Sequence, residues 1–305
     1  MIDVTDYSAA GWVRTTPAAI RSRWYCEQLE HGEILLFRDS QALVADSARA
    51  SLLAVRAGEV AHKNVSYSPA SQKLQGLRGG SAGAIRSALK GYSAAAIGFC
   101  AGLLAPYAES WRIELCSFRP IEERNRDLSP NSRNDLLHLD AFPGRPGNGA
   151  RILRMFTNIH PQRPRIWMTS DPMPVLERDH EFAAMVRGAI GHAESRPARA
   201  AARLVHLAKL AGFKIPDRSP YDRVMLDLHA RMKSSGSFQA RCRKYRHEFE
   251  PGASWLVFTD AVPHAVLEGQ YALEQSFFVP RTALVAAQSA PVSIVESFSG
   301  HPMTL

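Results

Sequence analysis

The sequence predicts an α+β fold: a helical N-terminal region over residues 1 to about 105, strands from there to about 290, and a helical insert at about 174–245. Three observations carry this expectation. Ser47 to Ala61 and Ile85 to Tyr107 are rich in helix formers and lack the rhythm of a strand. From Trp111 the character changes, because Arg112-Ile113-Glu114-Leu115-Cys116-Ser117-Phe118 alternates polar and apolar residues as a half-buried strand does. Further on, Ala200, Leu204, Leu207, Ala208 and Ala211 form one apolar stripe at helical spacing, with Arg196, Arg199, Arg203 and Lys209 on much of the remainder.

Taken in order, Lys63 to Gly80 is rich in Ser and Gly and reads as a loop, from which Lys63, Asn64 and Tyr67 could reach a pocket. Ala94 to Ala105 is the most membrane-like segment, but it falls well short of the roughly 20 apolar residues of a spanning helix and reads as a buried one. A second strand, Arg151 to Ile159, leaves the turn-rich Pro143-Gly144-Arg145-Pro146-Gly147-Asn148-Gly149. Strands return at Trp255 to Thr259 and Tyr271 to Val279, and the short segment between them carries His264. No repeat or low-complexity tract interrupts the 305 residues, which read as a single domain.

Composition narrows the function. With 46% hydrophobic residues the chain can build a core, so disorder is not expected. Cys26, Cys100, Cys116 and Cys242 lie far apart with no CxxC pair, which argues against a zinc knuckle or a disulfide framework and for reduced, buried thiols. The acidic start Met-Ile-Asp-Val-Thr-Asp lacks the basic and apolar stretches of a secretory signal, so a cytoplasmic protein is expected. A net charge of +8 and a pI near 9.5 point to an anionic partner or substrate. Nucleic acid is disfavoured, because the cations are dispersed and lack the interleaved aromatics of a stacking platform. The cationic face from Arg196 to Lys214 has two readings, a solvated surface or a contact with anionic lipid.

His138-Leu139-Asp140 sets an imidazole and a carboxylate two residues apart, on the same side of an extended backbone. About one H-x-[DE] triplet is expected by chance in such a chain, and two others occur, His31-Gly32-Glu33 and His192-Ala193-Glu194. Context separates them. Only His138 is followed by a loop, a strand and a later unit of strand, histidine and strand, in which His264 can supply a third ligand. Two histidines and one carboxylate on one face of a metal leave the other face open, as non-haem Fe(II) oxygenases require. A dicarboxylate cosubstrate would then need a fixed cation. Arg154 is favoured, since it shares a strand face with Phe156 and Asn158; Arg281, just after the strand that follows His264, is the alternative.

The stretches Ser117-Phe118-Arg119-Pro120-Ile121-Glu122-Glu123, Asn134 to Pro146 with its His138-Leu139-Asp140, Arg151 to Ile159 and Val257 to Val266 together resemble the Kdo hydroxylase family, most clearly over residues 110 to 285. The resemblance implies a double-stranded β-helix (jelly-roll, cupin-like) core that holds Fe(II) on His138, Asp140 and His264 and takes 2-oxoglutarate and O₂. It implies hydroxylation at carbon 3 of 3-deoxy-D-manno-oct-2-ulosonic acid (Kdo) in the lipopolysaccharide inner core, giving D-glycero-D-talo-oct-2-ulosonic acid, succinate and CO₂. A Kdo-bearing lipid A substrate would bring the chain to the inner face of the inner membrane, and the basic charge agrees with that. Lys63, Tyr67, Arg119, Arg133 and Arg145 are candidates to hold sugar carboxylates or lipid A phosphates. Two other functions remain open, an oxygenase of another acidic substrate and a metal-free module binding acidic glycans. A homo-oligomer also remains open.

Overall fold

Side-chain alternation along the strands sets the layers of this protein. The structure, a computed structural model, describes residues 1–4, 15–61, 63–79, 81–124, 126, 128–129, 132–213 and 215–304, with the backbone alone at His206. Its strands are β1 (Ile2–Asp3), β2 (Leu35–Phe37), β3 (Val65–Tyr67), β4 (Leu74–Gln75), β5 (Arg112–Arg119), β6 (Arg151–Asn158), β7 (Arg165–Thr169), β8 (Tyr245–Phe249), β9 (Ser254–Phe258), β10 (His264–Glu268) and β11 (Ala272–Val279). They form an eight-stranded sheet in the order β1-β2-β9-β6-β11-β5-β3-β4 and a three-stranded sheet in the order β10-β7-β8. Among the described residues only the β1–β2 pair is parallel.

Along β6, Leu153 and Met155 point into a core shared with α1 (Ala18–Glu30), α2 (Asp46–Leu53) and α3 (Ala82–Leu103). Phe156, from the opposite face, packs with Trp255 and Val257 of β9 against Trp167 and Val266 of the small sheet. The sheets therefore face each other across an apolar layer rich in aromatic rings, in which Phe156 meets Trp167 edge-on at 4.8 Å. A third core lies outside the small sheet. There α4 (His180–Ala193) and α6 (Pro220–Ser234), with α7 (Pro291–Ser299), bury Phe182, Val186, Val224, Leu228, Val292 and Val295 against Leu137, Leu139 and Ala265. Between α4 and α6 runs α5 (Arg196–Leu210). The helical insert is thus the long connection between β7 and β8, which pair directly at Thr169 and Tyr245.

Several expectations are corrected. Sheet does not begin at Trp111, because β1 to β4 all precede it and supply four of the eight strands of the large sheet. Lys63 to Gly79 is not merely a loop. It carries the β3–β4 hairpin, whose strand character comes from pairing with β5, Val65 opposite Phe118, and not from its own composition. Gly80 and Lys214 lie outside the described residues. The helix expected over Ser47 to Ala61 ends at Leu53, before Val55 and Gly58, both weak helix formers. β8, Tyr-Arg-His-Glu-Phe, has little apolar signal because it is an edge strand whose inward face carries Tyr245 and His247 beside the one fully buried residue, Phe249. No helix among the described residues is long and apolar enough to cross a membrane.

Candidate active site

The triplet beginning at His138 runs antiparallel beside β10, where His138 and His264 exchange backbone hydrogen bonds of 3.1 and 3.0 Å. The Asp140 amide then donates to the Thr259 carbonyl at 2.8 Å. Alternation does the rest: Leu137 and Leu139 enter the core of the insert, while His138 and Asp140 point the other way, toward His264. All three residues are buried, and one ligand atom from each lies within 4.8 Å of the others. The Nε2 atoms of His138 and His264 are each 3.9 Å from an oxygen of Asp140.

Each imidazole is oriented from behind. Nδ1 of His138 bonds the Leu136 carbonyl at 2.7 Å and Nδ1 of His264 the Val262 carbonyl at 3.0 Å. A carbonyl only accepts, so the hydrogen sits on Nδ1 and the Nε2 lone pair faces the other ligands, as metal-binding histidines require. Burial, joined by the neighbouring His264, holds His138 well below its ordinary pKa; burial also lowers His264. Neutral imidazoles and an ionised carboxylate suit a divalent metal. His31-Gly32-Glu33 and His192-Ala193-Glu194 contribute nothing to this cluster, and His192 pairs instead with Asp227 at 3.2 Å.

Behind the triad lies a buried ionic network. Arg154 donates through Nη1 to Asp140 and through Nε and Nη2 to Glu274 of β11, the Nε contact measuring 2.9 Å. Arg119 of β5 reaches the same Glu274 through Nη2 at 2.7 Å. Burial works to raise the Glu274 carboxyl, but Arg154 and Arg119 outweigh it and hold it at about 2. Burial opposes ionisation of Asp140 too; Arg154, His264 and His138 overcome it and keep the carboxyl well below the usual range. The guanidinium expected to await a cosubstrate is therefore occupied by two protein carboxylates.

A different arginine stands in the same wall. Arg119, Asn134, His138, Asp140, Arg154, Phe156, Arg165, Trp167, His264 and Val266 line one cavity, of which Arg165 and Trp167 belong to β7. Arg165 is fully buried, donates from Nη1 to the Gly269 carbonyl at 3.0 Å and lies 3.6 Å from Glu123. Its Nε and the Trp167 Nε1 are buried and find no acceptor among the described residues. Burial lowers the Arg165 guanidinium to about 10. Gly269, at φ +127°, is what lets Arg165 lie there, since a Cβ on it would meet the Arg165 Cγ at 2.8 Å. Two orphaned donors, each costing about 1–3 kcal/mol while unpaired, mark a place for ligand oxygens.

The insert adds a further side to the site. From α6, His229 sets its ring edge-on to His138 at 4.9 Å, and its Nδ1 bonds the Leu139 carbonyl at 2.7 Å. One turn later Lys233 is also buried. Burial and then Lys63 lower the Lys233 ammonium to about 8, while Asp140 and Asp135 act in the opposite sense. Lys63 donates to the Ser132 carbonyl; burial, and then Arg126, lowers it too. Arg165, His229 and Lys233 were missed in the sequence. The pair His229 and Lys233, four apart on one helix, was the available signal, but nothing local said that this face meets the triad.

The other expected residues are dispersed. Tyr67 is buried in the core on the helical side of the large sheet, because β3 turns Val65 and Tyr67 that way, so its expected place in the pocket is corrected. Asn158 spends its side-chain amide on the carbonyls of Arg163 and Phe249, at 3.0 and 2.9 Å, and is structural. Arg281 is half exposed beyond β11 and pairs with Glu296 at 2.7 Å, outside the cavity wall. Arg133 pairs on the surface with Asp135 at 2.6 Å. Arg145 lies over the Phe142 ring at 4.3 Å and lines a neighbouring cavity that also reaches Asp140.

Two buried imidazoles and a carboxylate converging on one side of a cavity define the metal face of a non-haem iron oxygenase. The chain belongs to the 3-deoxy-D-manno-oct-2-ulosonic acid (Kdo) hydroxylase family, whose sequence model matches residues 12–302. Among solved structures it is similar to the apo form of the Kdo hydroxylase KdoO, a non-haem Fe(II) α-ketoglutarate-dependent dioxygenase. The identity is 32% with a TM-score of 0.80, over 94% of this chain and 92% of that one. KdoO in complex with α-ketoglutarate and Fe(III), and KdoO with succinate and Fe(III), match at 30% identity over the same shares, with TM-scores of 0.77 and 0.76. No curated protein matches the chain.

Proposed function

We propose that this protein is an Fe(II)- and 2-oxoglutarate-dependent dioxygenase that hydroxylates carbon 3 of a Kdo sugar in Kdo-bearing lipid A. The carrying observation is the convergence of His138, Asp140 and His264, with Nδ1 of each histidine held by a backbone carbonyl. The whole chain acts as one catalytic domain, and the two facing sheets are read as a jelly-roll core. When bound, iron and 2-oxoglutarate supply O₂ activation coupled to loss of CO₂, leaving succinate.

The residues of the chain do the positioning. His138 and His264 offer Nε2, and Asp140 offers a carboxylate oxygen, while Arg154 balances the charge of Asp140 from outside the metal face. Arg165, with Trp167 Nε1 beside it, receives the distal carboxylate of 2-oxoglutarate, a role expected for Arg154 from the sequence alone. Lys233 and Lys63 hold the acidic sugar on the insert side of the cavity, with Arg119 behind them. Aromatic packing of Phe156, Trp167 and Trp255 keeps water from the reacting carbon.

Mass spectrometry of Kdo-bearing lipid A, incubated with anaerobically iron-loaded protein, 2-oxoglutarate and air, tests the reading. A gain of one oxygen atom on the sugar, absent with His138→Ala, is the expected result. Succinate without a change in the sugar would replace the substrate and keep the chemistry; the absence of both would discard the proposal.

A further inference from the structure

The insert carries a surface unlike the rest of the molecule. Leu204, Leu207 and Leu210 of α5 are 67%, 59% and 73% exposed, and Phe213 just beyond the helix is 66% exposed. Amphipathic helices in a folded domain ordinarily turn such a stripe inward. Here the inward side is made of small or short residues, Ala198, Ala202 and Val205, and none of the described side chains of α5 is buried. Of the apolar stripe read from the sequence, Leu204 and Leu207 face out.

Charge selects what covers them. Arg196–Leu210 contains four cations, Arg196, Arg199, Arg203 and Lys209, and no acid. Lys209 is paired with Asp217, whereas Arg196, Arg199 and Arg203 have no carboxylate partner among the described residues. At 100° per residue the three arginines share the outward face with the leucines but lie nearer the start of the helix, so their stems can lie on apolar surface while their heads reach outward. A second copy of this helix would bring no carboxylate to pair with the arginines. An anionic lipid surface answers both features, taking the leucines among its chains and the guanidiniums among its phosphates.

We infer that α5 and the turn to Phe213 form an interfacial anchor, which docks the enzyme on anionic bilayers with Leu204, Leu207, Leu210 and Phe213 inserted. The inference gives a partner to the lipid-linked reading of the substrate and rests on that reading for its use. The physics of docking is independent of it. Arg196 begins the helix right after α4, which packs with α6, the helix that carries Lys233. Lipid contact and sugar contact therefore belong to one helical unit.

The test is sedimentation of the full-length, iron-loaded protein with vesicles of phosphatidylcholine alone or enriched in phosphatidylglycerol. Binding on the order of a hundredfold stronger to the anionic vesicles, weakened by salt, is expected from three arginines near the surface. The exposed variant Leu204→Ser/Leu207→Ser/Leu210→Ser should lose at least tenfold in binding and keep wild-type turnover of a water-soluble Kdo oligosaccharide. Equal binding of wild type and variant, or no binding by either, would overturn the anchor. A change from dimer to monomer in the variant by analytical ultracentrifugation would also overturn it, because a second copy would then be the occupant. Loss of soluble-substrate turnover in the wild type would instead strike the proposed function and leave the docking result standing.

Discussion

Arg154 holds Asp140 by the oxygen that lies nearer to His264, so the single acid of the candidate metal site is pinned by a cation on β6. The same guanidinium is gripped from its other side by Glu274. Asp140 is thereby fixed in rotamer before any metal arrives, at the cost of a fully buried network of charge.

That network is predicted to matter more to the fold than to cosubstrate affinity. Arg154→Met leaves Asp140 buried without its guanidinium and Glu274 with Arg119 alone, and loss of about 3–5 kcal/mol of unfolding free energy is expected by urea denaturation. Glu274 adds a pH signature. Its carboxyl falls from an ordinary 4.5 to about 2 in the fold, so its contribution is complete above 4.5 and is lost as pH falls from there toward 2. Glu274→Gln should therefore unfold at neutral pH more readily than wild type, with the difference shrinking in acid.

Arg165 is predicted to set the affinity for 2-oxoglutarate. A charged hydrogen bond is worth roughly 1.5–3 kcal/mol, so Arg165→Ala should weaken 2-oxoglutarate binding by about 10- to 150-fold in calorimetric titration of iron-loaded protein. Arg281→Ala should leave it unchanged. An Arg165→Ala enzyme with wild-type affinity would remove Arg165 from the site.

Lys233 is predicted to give the sugar-binding step an alkaline limb. Burial, joined by Lys63, lowers its ammonium to about 8, with Asp140 and Asp135 opposing. The charged form that holds a carboxylate therefore prevails below about 8 and is lost above it, so KM for the acidic sugar should rise through that range. Lys233→Arg should flatten the limb. Lys233→Met should raise KM below about pH 8, approach the wild-type value above it, and yet raise the thermal midpoint at neutral pH, because a lowered lysine pKa marks a charge the fold bears at a cost.

Metal ligation is predicted to stabilise the protein by mass action. Saturating Fe(II) or Co(II) should raise the melting temperature of wild type under anaerobic conditions and leave that of His264→Ala unmoved. A rise of equal size in both would place the ion elsewhere.

The sequence made some of this legible and hid the rest for physical reasons. β5, β6, β9 and β11 could be read because each alternates or runs apolar over five to eight residues, as strands in the middle of a sheet do. The triad was visible through the order of elements around His138 and His264. β3, β4 and β8 lay hidden because short or edge strands owe their form to their partners, which for β3 and β8 are distant in sequence. Arg154 was placed on the correct face with Phe156, but its ionic partner Glu274 lies 120 residues away, and no local pattern announces such a pair. Arg165 was overlooked for the same reason, since its burial depends on Gly269 making room.

The pairing of Thr169 with Tyr245 makes everything from Ser170 to Lys244 a single excursion from a two-strand ladder, whose ends are fixed whatever lies between them. Closing a longer or shorter excursion costs little, since the entropy of closure grows only with the logarithm of length. Both the lysine proposed to meet the sugar and the leucines that face outward ride on this excursion, while all three residues of the candidate metal site stand outside it. Descent with modification can therefore exchange the address and the acceptor of the reaction as one cassette and leave the oxidising machinery untouched.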